Sequence, residues 1–389
     1  MTRGINIHLY PSDITAESRM MKITASLKAF GYFEKILLIG IQSAKTPAQE
    51  VLDEAREIHR FARGIGIVRG AFIRKILATL GWSLAVWRFT RGQRITVINC
   101  HSLPVLPLCV ALKFRHRALL VYDTHELETE TTESRGIRRV FAKLLERALI
   151  RYSDLNIVVG EMIAQWYADM YRITKPLVIR NIPELGAVSV QANDASPLRA
   201  ALGLGEEAVI VLYVGKLSAN RGIERLLDLF AEIPPPVHFV CMGDGALVET
   251  IQRYQALHAN IHWLPPVPYA QVVAYARGAD MGVSVIDHSC LSYTYAMPNK
   301  FFEYLQAGVP ILIGDMPEQR AIVEAHNVGW VLPEEDAAAR AFIRGIDRED
   351  IAVKKRNAAA VAHQYTWERE RETLHAAYEA LRARRPGWF

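Results

Sequence analysis

The sequence has few of the features that mark secreted, zinc-binding or membrane-spanning proteins. Its four cysteines show neither CxxC spacing nor a zinc-finger arrangement with histidine, so we expect reduced, mostly buried thiols in a cytosolic protein. The N-terminus is too poor in apolar residues for a signal peptide. The fairly apolar segment 95–112 is interrupted by Asn99, His101 and two prolines, whereas a transmembrane helix needs about 20 mostly apolar residues.

Signature motifs of two other enzyme classes are also missing. No GxGxxG follows the first predicted strand, which counts against a nicotinamide-dependent enzyme. No DxD-type carboxylate pair is followed by further metal ligands, so we expect no required metal and no cofactor. The 389 residues, of which 51% are hydrophobic, are enough for two domains with cores of their own at roughly 100–200 residues per domain.

Acidic residues are absent from one long stretch, although the net charge of the whole chain is only +5. Between Ile58 and Tyr122 there is no Asp or Glu, and eleven arginines and lysines are interleaved with bulky apolar residues that include Trp82 and Trp87. Cations beside interfacial tryptophans suit a peripheral surface on an anionic membrane. The alternative is a solvated basic face over an ordinary core. A nucleic-acid partner is disfavoured because no recognition motif accompanies the charge.

Apolar runs of strand type alternate with helical patterns along the chain, which predicts doubly wound parallel sheets covered by helices on both faces. The predicted strands include residues 5–9, 35–40, 96–100, 119–123, 155–159, 208–213, 237–242, 261–264 and 281–286. The helix predicted over residues 137–153 has Leu144, Leu145, Ala148 and Leu149 on its apolar side.

The alternation of strands and helices stops once and then restarts. Residues 181–197 are rich in proline, glycine, asparagine and serine, which makes them the best candidate for a linker. We therefore predict a first domain over residues 1–182, joined by a C-terminal helix over residues 366–389, and a second domain over residues 198–365. Ligands of such sheets bind outside the carboxyl ends of the strands, so the loops after strands are the places to search.

The first such loop follows a buried strand and runs from Gly215-Lys216 to Arg221-Gly222, where a helix opens. Glycine lets a ligand approach the backbone, and a helix N-terminus attracts anions. Two cations five residues apart on this loop could bracket a diphosphate. A plain surface turn is the alternative. A second strand ends in the turn Gly243-Asp244-Gly245, which is a weak dinucleotide signal by itself.

The third segment, Met297-Pro298-Asn299-Lys300, opens a helix in which Glu303 follows one turn later. The free N–H groups of a first helical turn would accept a phosphate. A carboxylate on the same face could accept hydrogen bonds from the diol of a ribose. The alternative is a simple helix-surface pair of Lys300 with Glu303. Spacing alone does not separate these two readings.

From Val209 to Glu335 the chain resembles the C-terminal domain of retaining GT-B glycosyltransferases of family 4. That family carries a strand–glycine loop with two cations, a GDG turn and a helix that runs from a glutamate into Gly-x-Pro. The counterparts here are Gly215-Lys216 with Arg221-Gly222, Gly243-Asp244-Gly245, and the segment 303–310. Weaker similarity upstream, in residues 99–104, 121–127 and 154–181, and in the closing helix 365–381, extends the resemblance over nearly the whole chain.

The resemblance implies a GT-B fold, in which two Rossmann-like domains with doubly wound parallel sheets face each other across a cleft. Residues 1–182 would bind the acceptor and residues 198–365 the nucleotide-sugar. It assigns catalytic roles to His125, Lys216 and Arg221. It assigns donor binding to Gly215, Gly243, Asp244, Tyr295, Pro298, Asn299, Lys300 and Glu303, of which Glu303 would bind the ribose. On the acceptor side it places Ser12, Asp13 and His101, and for His101 and His125 a purely structural role is the alternative.

Three features depart from the family pattern. The cations of the first loop come in the order Lys216 then Arg221, where the family usually has arginine first. Tyr295 stands eight residues before Glu303, where relatives often have a glutamate that contacts the donor sugar. The loop over residues 10–18 lacks the usual pair of glycines, which weakens inference about the acceptor.

The resemblance implies glycosyl transfer from a UDP- or GDP-sugar to an acceptor hydroxyl, with retention of configuration and without a metal. The acceptor would be a lipid-linked or cell-surface glycan at the inner face of the cell membrane, to which this cytoplasmic protein would bind peripherally. Two alternatives stay open: a non-catalytic sugar-nucleotide-binding subunit, which Tyr295 suggests, and a nucleotide-sugar epimerase of the same architecture.

Overall fold

A computed structural model describes residues 3–15, 17–63, 71–184 and 196–386, without the side chains of residues 71–76. The chain divides into two compact units. Unit 1 comprises residues 1–179 and 371–389, and unit 2 comprises residues 180–370. Of the predicted linker, residues 185–195 lie outside the described residues.

Unit 1 is built on an eight-stranded sheet in the order β3-β4-β2-β1-β5-β6-β7-β8. All neighbouring strands are parallel except β3 and β4. The strands are β1 (Ile5–Leu9), β2 (Lys35–Ile41), β3 (Gln49–Val51), β4 (Arg56–Phe61), β5 (Ile95–Cys100), β6 (Leu119–Asp123), β7 (Leu155–Val158) and β8 (Leu177–Val178). The helices are α1 (Ser18–Phe30), α2 (Ala71–Phe89), α3 (Leu106–His116), α4 (Gly136–Leu149) and α5 (Glu161–Tyr171).

Unit 2 is built on a six-stranded parallel sheet in the order β11-β10-β9-β12-β13-β14. Its strands are β9 (Val209–Val214), β10 (Val237–Met242), β11 (Ile261–Leu264), β12 (Met281–Ser284), β13 (Ile311–Ile313) and β14 (Gly329–Val331). Its helices are α6 (Pro197–Leu202), α7 (Ile223–Ala231), α8 (Val248–Leu257), α9 (Val272–Ala276), α10 (Leu291–Thr294), α11 (Asn299–Gln306), α12 (Pro317–His326), α13 (Asp336–Arg344) and α14 (Arg348–Val361). The last helix, α15 (Trp367–Arg384), begins in unit 2 and continues in unit 1.

The central strands are buried along their whole length, as continuous apolar runs covered on both faces require. Every residue of β5, β6, β9 and β10 is buried. In unit 2, one core cluster packs around Phe230 and Phe239, and a second packs around Phe301 and Phe302. Two Rossmann-like parallel-sheet domains, as predicted, are therefore confirmed.

Each sheet has one point at which the strand order reverses. In unit 1 the chain runs outward from β1 in one direction and from β5 in the other; in unit 2 the same reversal separates β9 from β12. Ligands of open α/β sheets bind beside the carboxyl ends of the strands at such a point. The candidate site residues must therefore be judged by their distance from the ends of β1, β5, β9 and β12.

Part of the basic stretch over residues 58–122 is used inside unit 1. Trp82 is buried, and its indole N–H donates to the carbonyl oxygen of Gly40 at 2.9 Å. The Arg115 guanidinium covers the half-buried Trp87 ring at 4.3 Å from its centre. Arg60 is buried as well. Trp82 is therefore not available to an interface, whereas Trp87 is half-buried and packs against Arg115.

Other parts of the same stretch are exposed. Arg88 and Arg91 face solvent, as do Leu77, Leu80 and Leu84 on one side of α2. Arg69 and the side chains at positions 74 and 75, which also belong to the predicted basic surface, lie outside the described residues. Within the described part of the chain, no helix has both the length and the apolar character needed to cross a bilayer.

Candidate active site

Two glycine turns in unit 2 are fitted tightly against each other. Gly215 directly follows β9 and Gly243 directly follows β10, both with positive φ angles, +125° and +154°. A Cβ atom added to Gly243 would lie 1.9 Å from the carbonyl oxygen of Gly215, and one on Gly245 would lie 2.2 Å from that of Leu217. The backbone N–H of Leu217 donates to the Asp244 carbonyl at 2.9 Å. Only glycine permits this approach, and the two loops form one rigid frame.

The frame borders a cavity of about 260 Å³. Gly215, Lys216, Gly243 and Asp244, four of the residues predicted for catalysis or donor binding, are among those that line it. Pro266, Val267 and Val272 provide an apolar side. An apolar wall with a few polar groups at its rim suits the binding of a small planar group next to a charged one.

The loop after Gly215 carries both predicted cations to the start of α7. Lys216 is exposed and Arg221 is half-buried. Gly222, with a φ angle of +69°, directly precedes α7, and a Cβ there would lie 2.8 Å from a methyl carbon of Val285, just beyond β12. The glycine lets Arg221 turn beside the end of β12. Both cations are therefore held at the reversal point of the sheet.

Lys300 lies in the first turn of α11, where its ammonium sits 3.4 Å from the centre of the Tyr213 ring. The residue is only 7% exposed, and Nζ has no hydrogen-bond partner among the described residues. Burial lowers the pKa of Lys300 well below its ordinary value; Arg221 adds to this effect and Glu303 opposes it. A buried amine stabilised only by a ring face has hydrogen-bonding capacity left for an anion.

The helix that carries Lys300 and Glu303 is fixed to the centre of the sheet. The Tyr304 hydroxyl donates to the Leu212 carbonyl at 2.8 Å and accepts from the Val214 N–H at 2.9 Å. Gly282 leaves room for that ring, since a Cβ there would lie 2.3 Å from it. One fixed tyrosine thus sets the position of both charged residues relative to β9.

Glu303 is 6% exposed and lines a narrow cleft with Tyr269 and Pro183. Pro298 is the N-cap of α11, and Asn299 is its first residue; both are half-buried. Tyr295 is half-buried and ends the short helix α10 three residues earlier. Its ring therefore belongs to the same local segment as the first turn of α11. In unit 2 the predicted donor residues lie on the loops after β9 and β10 and on the segment from α10 to α11.

In unit 1 the strand ends carry a cluster of histidines around one carboxylate. His101 follows β5, Asp123 ends β6 and His125 comes two residues later. His8 Nδ1 and His101 Nε2 share a hydrogen bond of 2.8 Å; His101 Nδ1 lies 3.2 Å from Asp123 Oδ2 and 3.3 Å from His125 Nε2. Tyr10 packs against His125 with ring centres 5.4 Å apart.

Asp123 is held by a buried arginine. The Arg19 guanidinium donates from Nη2 to Asp123 Oδ1 at 2.6 Å and from Nε to both carboxylate oxygens, while Nη1 donates to the Ile179 carbonyl at 2.6 Å. Burial opposes ionisation of Asp123, but Arg19 and the hydrogen bond from His101 outweigh it and hold the pKa of that carboxyl well below its usual range. The carboxylate stays charged and fully paired.

His125 is the accessible member of this cluster. Its side chain is 22% exposed, whereas that of His101 is fully buried. Burial lowers the pKa of His125 to about 3; His101 and Arg19 add to the shift and Asp123 opposes it. His125 is therefore a neutral imidazole at pH 7, able to offer a hydrogen bond to a sugar hydroxyl. His101 lies behind it as a support.

His101, Asp123 and His125 are also the one group among the described residues whose ligand atoms lie close enough to share a metal ion. The fit to a cation is poor for two reasons. Both oxygens of Asp123 already accept hydrogen bonds from Arg19, and both nitrogens of His101 already lie within hydrogen-bonding distance of neighbouring side chains. A bound cation would have to displace or repel the Arg19 guanidinium.

The predicted acceptor-side residues Ser12 and Asp13 serve the local fold. The Ser12 hydroxyl donates to Glu17 at 3.0 Å and accepts from the Ile14 N–H at 3.1 Å. The Asp13 carbonyl accepts from Arg60 at 2.6 Å. Both residues are half-buried in the loop after β1, beside the reversal point of the sheet.

Three polar residues of the unit 1 cluster and one residue of unit 2 were not predicted to belong to a site. His8, Arg19 and Asp123 are buried and paired, and Tyr213 lies beneath Lys300. The positions of His8, Asp123 and Tyr213 within apolar strands were the available signal, since polar groups in such strands need partners. No signal along the chain indicated that residue 19 would reach residue 123.

Comparison with solved structures shows the fold class. Sucrose-phosphate synthase from Thermosynechococcus elongatus superposes with a TM-score of 0.81 at 16% identity, covering 98% of this chain and 100% of the other. The Anabaena protein HepE, solved with UDP-glucose, superposes with a TM-score of 0.72 at 16% identity, covering 97% and 99%. At such identities the likeness concerns the fold, which is that of the GT-B glycosyltransferases.

Two family models match the chain, one on each unit. Residues 35–182 match the model described as Glycosyltransferase Family 4, and residues 194–362 match Glycosyl transferases group 1. The chain belongs to the group 1 glycosyltransferases, as the sequence resemblance predicted.

Curated relatives match only part of this chain. A D-inositol 3-phosphate glycosyltransferase from Segniliparus rotundus is 26% identical over 256 residues, which cover 60% of this chain and 54% of the relative. The chain spans about half the length of the curated relatives it matches first. The substrates named for those proteins are therefore not transferred to this one.

Proposed function

We propose that the protein transfers a sugar from a nucleotide-diphosphate sugar to an acceptor hydroxyl, with retention of configuration. One observation carries the proposal. Lys300, a buried basic group without a hydrogen-bond partner among the described residues, shares the end of the unit 2 sheet with Arg221, which disfavours its positive charge. Such an arrangement is unfavourable until an anion arrives, and a diphosphate supplies the charge.

In this proposal unit 2 binds the donor. Lys216, Arg221 and Lys300 hold the diphosphate, and the N–H groups at the start of α11, next to Pro298 and Asn299, support it. The rigid frame at Gly215 and Gly243, with the exposed Asp244, borders the nucleoside in the adjoining cavity. Glu303 accepts hydrogen bonds from the ribose hydroxyls. Tyr295 offers a phenol to the donor sugar, where a carboxylate is common in relatives.

The chemical step needs no nucleophile from the protein. The bond between the anomeric carbon and the phosphate oxygen breaks, and the acceptor oxygen bonds to the same face of that carbon. The acceptor proton passes to the departing phosphate, on which Lys216 and Arg221 stabilise the growing negative charge. Neutral His125 contacts the transferred sugar and donates or accepts a hydrogen bond without a proton transfer.

A donor survey tests the proposal. Thermal shifts with UDP- and GDP-sugars should reveal one stabilising donor, and transfer of its labelled sugar to membrane extract should follow. Glu303→Ala should weaken nucleotide binding severely, and unchanged binding would sink the ribose assignment. His125→Ala should lower kcat by about 10²-fold while nucleotide binding is retained, because one positioned hydrogen bond to the reacting sugar is lost. Activity that survives EDTA would support the absence of a required metal.

A second candidate function is a binding subunit without transfer activity, and Tyr295 is the observation that favours it. Tight UDP or GDP binding without transfer to any membrane extract would support this alternative. Restored transfer in Tyr295→Glu would then show that the missing carboxylate was the cause. An epimerase of the same architecture would instead convert the free sugar nucleotide without an acceptor, which the same assay detects.

The acceptor side of the proposal is a glycan carried on a lipid or at the cell surface. The protein would work in the cytoplasm at the inner face of the cell membrane, with basic unit 1 toward the anionic lipids. The exposed Arg88 and Arg91 and the apolar side of α2 support this orientation. Replacement of Arg74, Lys75 and Arg88 by glutamate should reduce flotation with anionic vesicles.

A further inference from the structure

Helix α4 is oriented with its polar side toward the fold. Its one acidic residue, Glu146, is fully buried and accepts hydrogen bonds from the hydroxyls of Tyr122 at 2.7 Å, Tyr167 at 2.9 Å and Tyr171 at 2.6 Å. These tyrosines belong to β6 and α5, so the carboxylate joins α4 to the body of unit 1. Three donors on one carboxylate satisfy most of its lone pairs.

A second polar contact faces the same way. Glu130, whose side chain is 3% exposed, pairs with Lys143 at 2.5 Å and with Arg139. Residues 139, 143 and 146 lie within one sector of a helix that turns by about 100° per residue. The side of α4 that contacts unit 1 is therefore polar, and its contacts are specific ion pairs and hydrogen bonds.

The opposite side of α4 is apolar and faces solvent. Its five large side chains follow helical spacing, and their exposed fractions are 72% for Ile137, 56% for Val140, 66% for Phe141, 58% for Leu144 and 41% for Leu145. A surface helix of a globular protein normally buries such a stripe against the core. We call these five residues the outer face of α4.

The outer face has an aromatic neighbour on the next helix. Phe114 of α3 is 60% exposed and makes an edge-on contact with Tyr152, just after α4, at 5.4 Å between ring centres. The Arg151 guanidinium lies 5.3 Å from the centre of that tyrosine ring. Aromatic rings beside a guanidinium, next to an aliphatic stripe, are typical of the boundary between lipid and water.

The exposed charged side chains of α4 itself are all basic. At about 100° per residue, Arg138 and Arg147 fall on the two edges of the outer face, and Arg135 and Arg151 lie just before and just after the helix. The helix itself exposes no carboxylate, because Glu146 is buried. One cation on each edge of the outer face and one beyond each end of the helix match a layer of anionic head groups.

We propose that the outer face of α4 inserts into the head-group boundary of an anionic bilayer and docks unit 1 on the membrane. The inference deepens the proposed function and rests on it for the idea that the acceptor is carried on a membrane. It moves the lipid contact from the stretch with the buried Trp82 and the half-buried Trp87 to a helix with exposed apolar residues. The helix would lie in the membrane plane, with its apolar side chains about 5–10 Å deep.

Vesicle flotation of the full chain tests this docking. The probe is a vesicle of phosphatidylcholine with about one third phosphatidylglycerol, and pure phosphatidylcholine serves for comparison. Phe141→Ser with Leu144→Ser should lower the partition coefficient by about tenfold or more, because two exposed apolar side chains lose their lipid contact. Arg147→Gln should lower binding to the anionic vesicles several-fold and leave the weak binding to the neutral ones unchanged.

The chain offers a matched control. Val51→Ser with Leu257→Ser removes two apolar side chains that are 67% and 80% exposed and lie on other elements. This variant should float like the wild type. Since all four positions are exposed, unfolding curves of both double variants should match the wild type. Equal flotation of the α4 variant and the wild type would overturn the proposal, as would loss of a dimer in the α4 variant while vesicle binding persists.

The same variants separate this proposal from the proposed function. Loss of flotation in the α4 variant with unchanged sugar-nucleotide binding supports docking by α4. If no sugar nucleotide binds but the wild type floats and the α4 variant does not, the donor assignment fails and the docking surface stands. If Arg88→Glu with Arg91→Glu abolishes flotation while the α4 variant floats, α2 is the lipid contact and α4 is not.

Discussion

The two units differ in how the charged groups at the ends of their central strands are paired. In unit 1 the buried charge at the strand ends is paired: Asp123 is held by Arg19, and the histidines bond to one another. In unit 2 the cations Lys216, Arg221 and Lys300 form no ion pair among the described residues. The charged groups of unit 1 are paired without a ligand, whereas the basic groups of unit 2 are not. The difference supports the proposal that unit 2 binds the charged substrate.

The strongest test of this contrast removes the charge pair of unit 1. Asp123→Asn leaves the Arg19 guanidinium buried without its counter-ion, and the free energy of unfolding should fall by about 3–5 kcal/mol. Nucleotide binding to unit 2 should remain. Chemical denaturation and nucleotide titration measure the two effects. Asp315→Asn, whose partner Arg320 is exposed, is the control and should change little. An Asp123 variant as stable as the wild type would contradict the pairing.

The rigid frame of unit 2 should respond nearly as strongly to a single methyl group. Gly243→Ala places Cβ 1.9 Å from the Gly215 carbonyl oxygen at a φ angle of +154°. We expect a loss of about 2–5 kcal/mol in stability and a loss of nucleotide binding, because the backbone must shift. Gly314→Ala, where the nearest atoms are 3.7 Å from the new carbon, is the control. Wild-type behaviour in Gly243→Ala would show that the two loops can separate freely.

Lys300→Met should separate stability from binding. The change removes a buried amine that lacks a hydrogen-bond partner, so the free energy of unfolding should rise, while affinity for the sugar nucleotide should fall by about 10²-fold. Lys354→Met is the matched control. Lys354 is equally buried and lies over Trp330, but it bonds to Asp350 and Asn327, so its loss should destabilise the protein without affecting nucleotide binding. If Lys300→Met lowers the free energy of unfolding as much as Lys354→Met does, Lys300 has a stabilising partner in the folded protein and this interpretation is wrong.

The smallest expected effect is on the pH dependence of donor binding. Burial holds the pKa of Lys300 below its ordinary value in the free protein, and a bound diphosphate would raise it again. At a pH above the pKa that Lys300 has in the free protein, binding therefore takes up a proton. In that pH range the affinity for the donor should fall as pH rises, by at most about tenfold per pH unit. Calorimetry in buffers of different ionisation enthalpy measures this uptake. It should vanish in Lys300→Met, and its persistence there would assign the proton to another group.

The strands were the most predictable part of the fold. Residues 119–123, 237–242 and 261–264 form strands with the predicted bounds, because buried parallel strands are continuous apolar runs with sharp ends. The antiparallel β3 was not predicted, since three partly polar residues carry no periodic signal. The glycine turns were found because their residue types follow strands directly. Their mutual contact was not, because it joins positions 215 and 243 across the sheet.

Burial was harder to predict than secondary structure. The periodicity of residues 137–153 predicted a helix with an apolar side, and the helix exists as α4, yet that side faces away from the core. Periodicity defines two sides of a helix and does not say which one the fold covers. Trp82 shows the converse, since its residue type suggested an interface and packing placed it in the core. The contact between Lys300 and the Tyr213 ring likewise depended on tertiary structure.

The frame at the end of β10 also makes neighbouring positions differ in the residue types that they tolerate. Positions 243 and 245 have their Cβ sites filled by backbone oxygen atoms, whereas Asp244 between them is exposed and lines the cavity. A library selected only for folding should keep glycine at 243 and 245 and accept many residues at 244. Descendants of this chain could therefore change what they recognise at one position without rebuilding the loop that presents it.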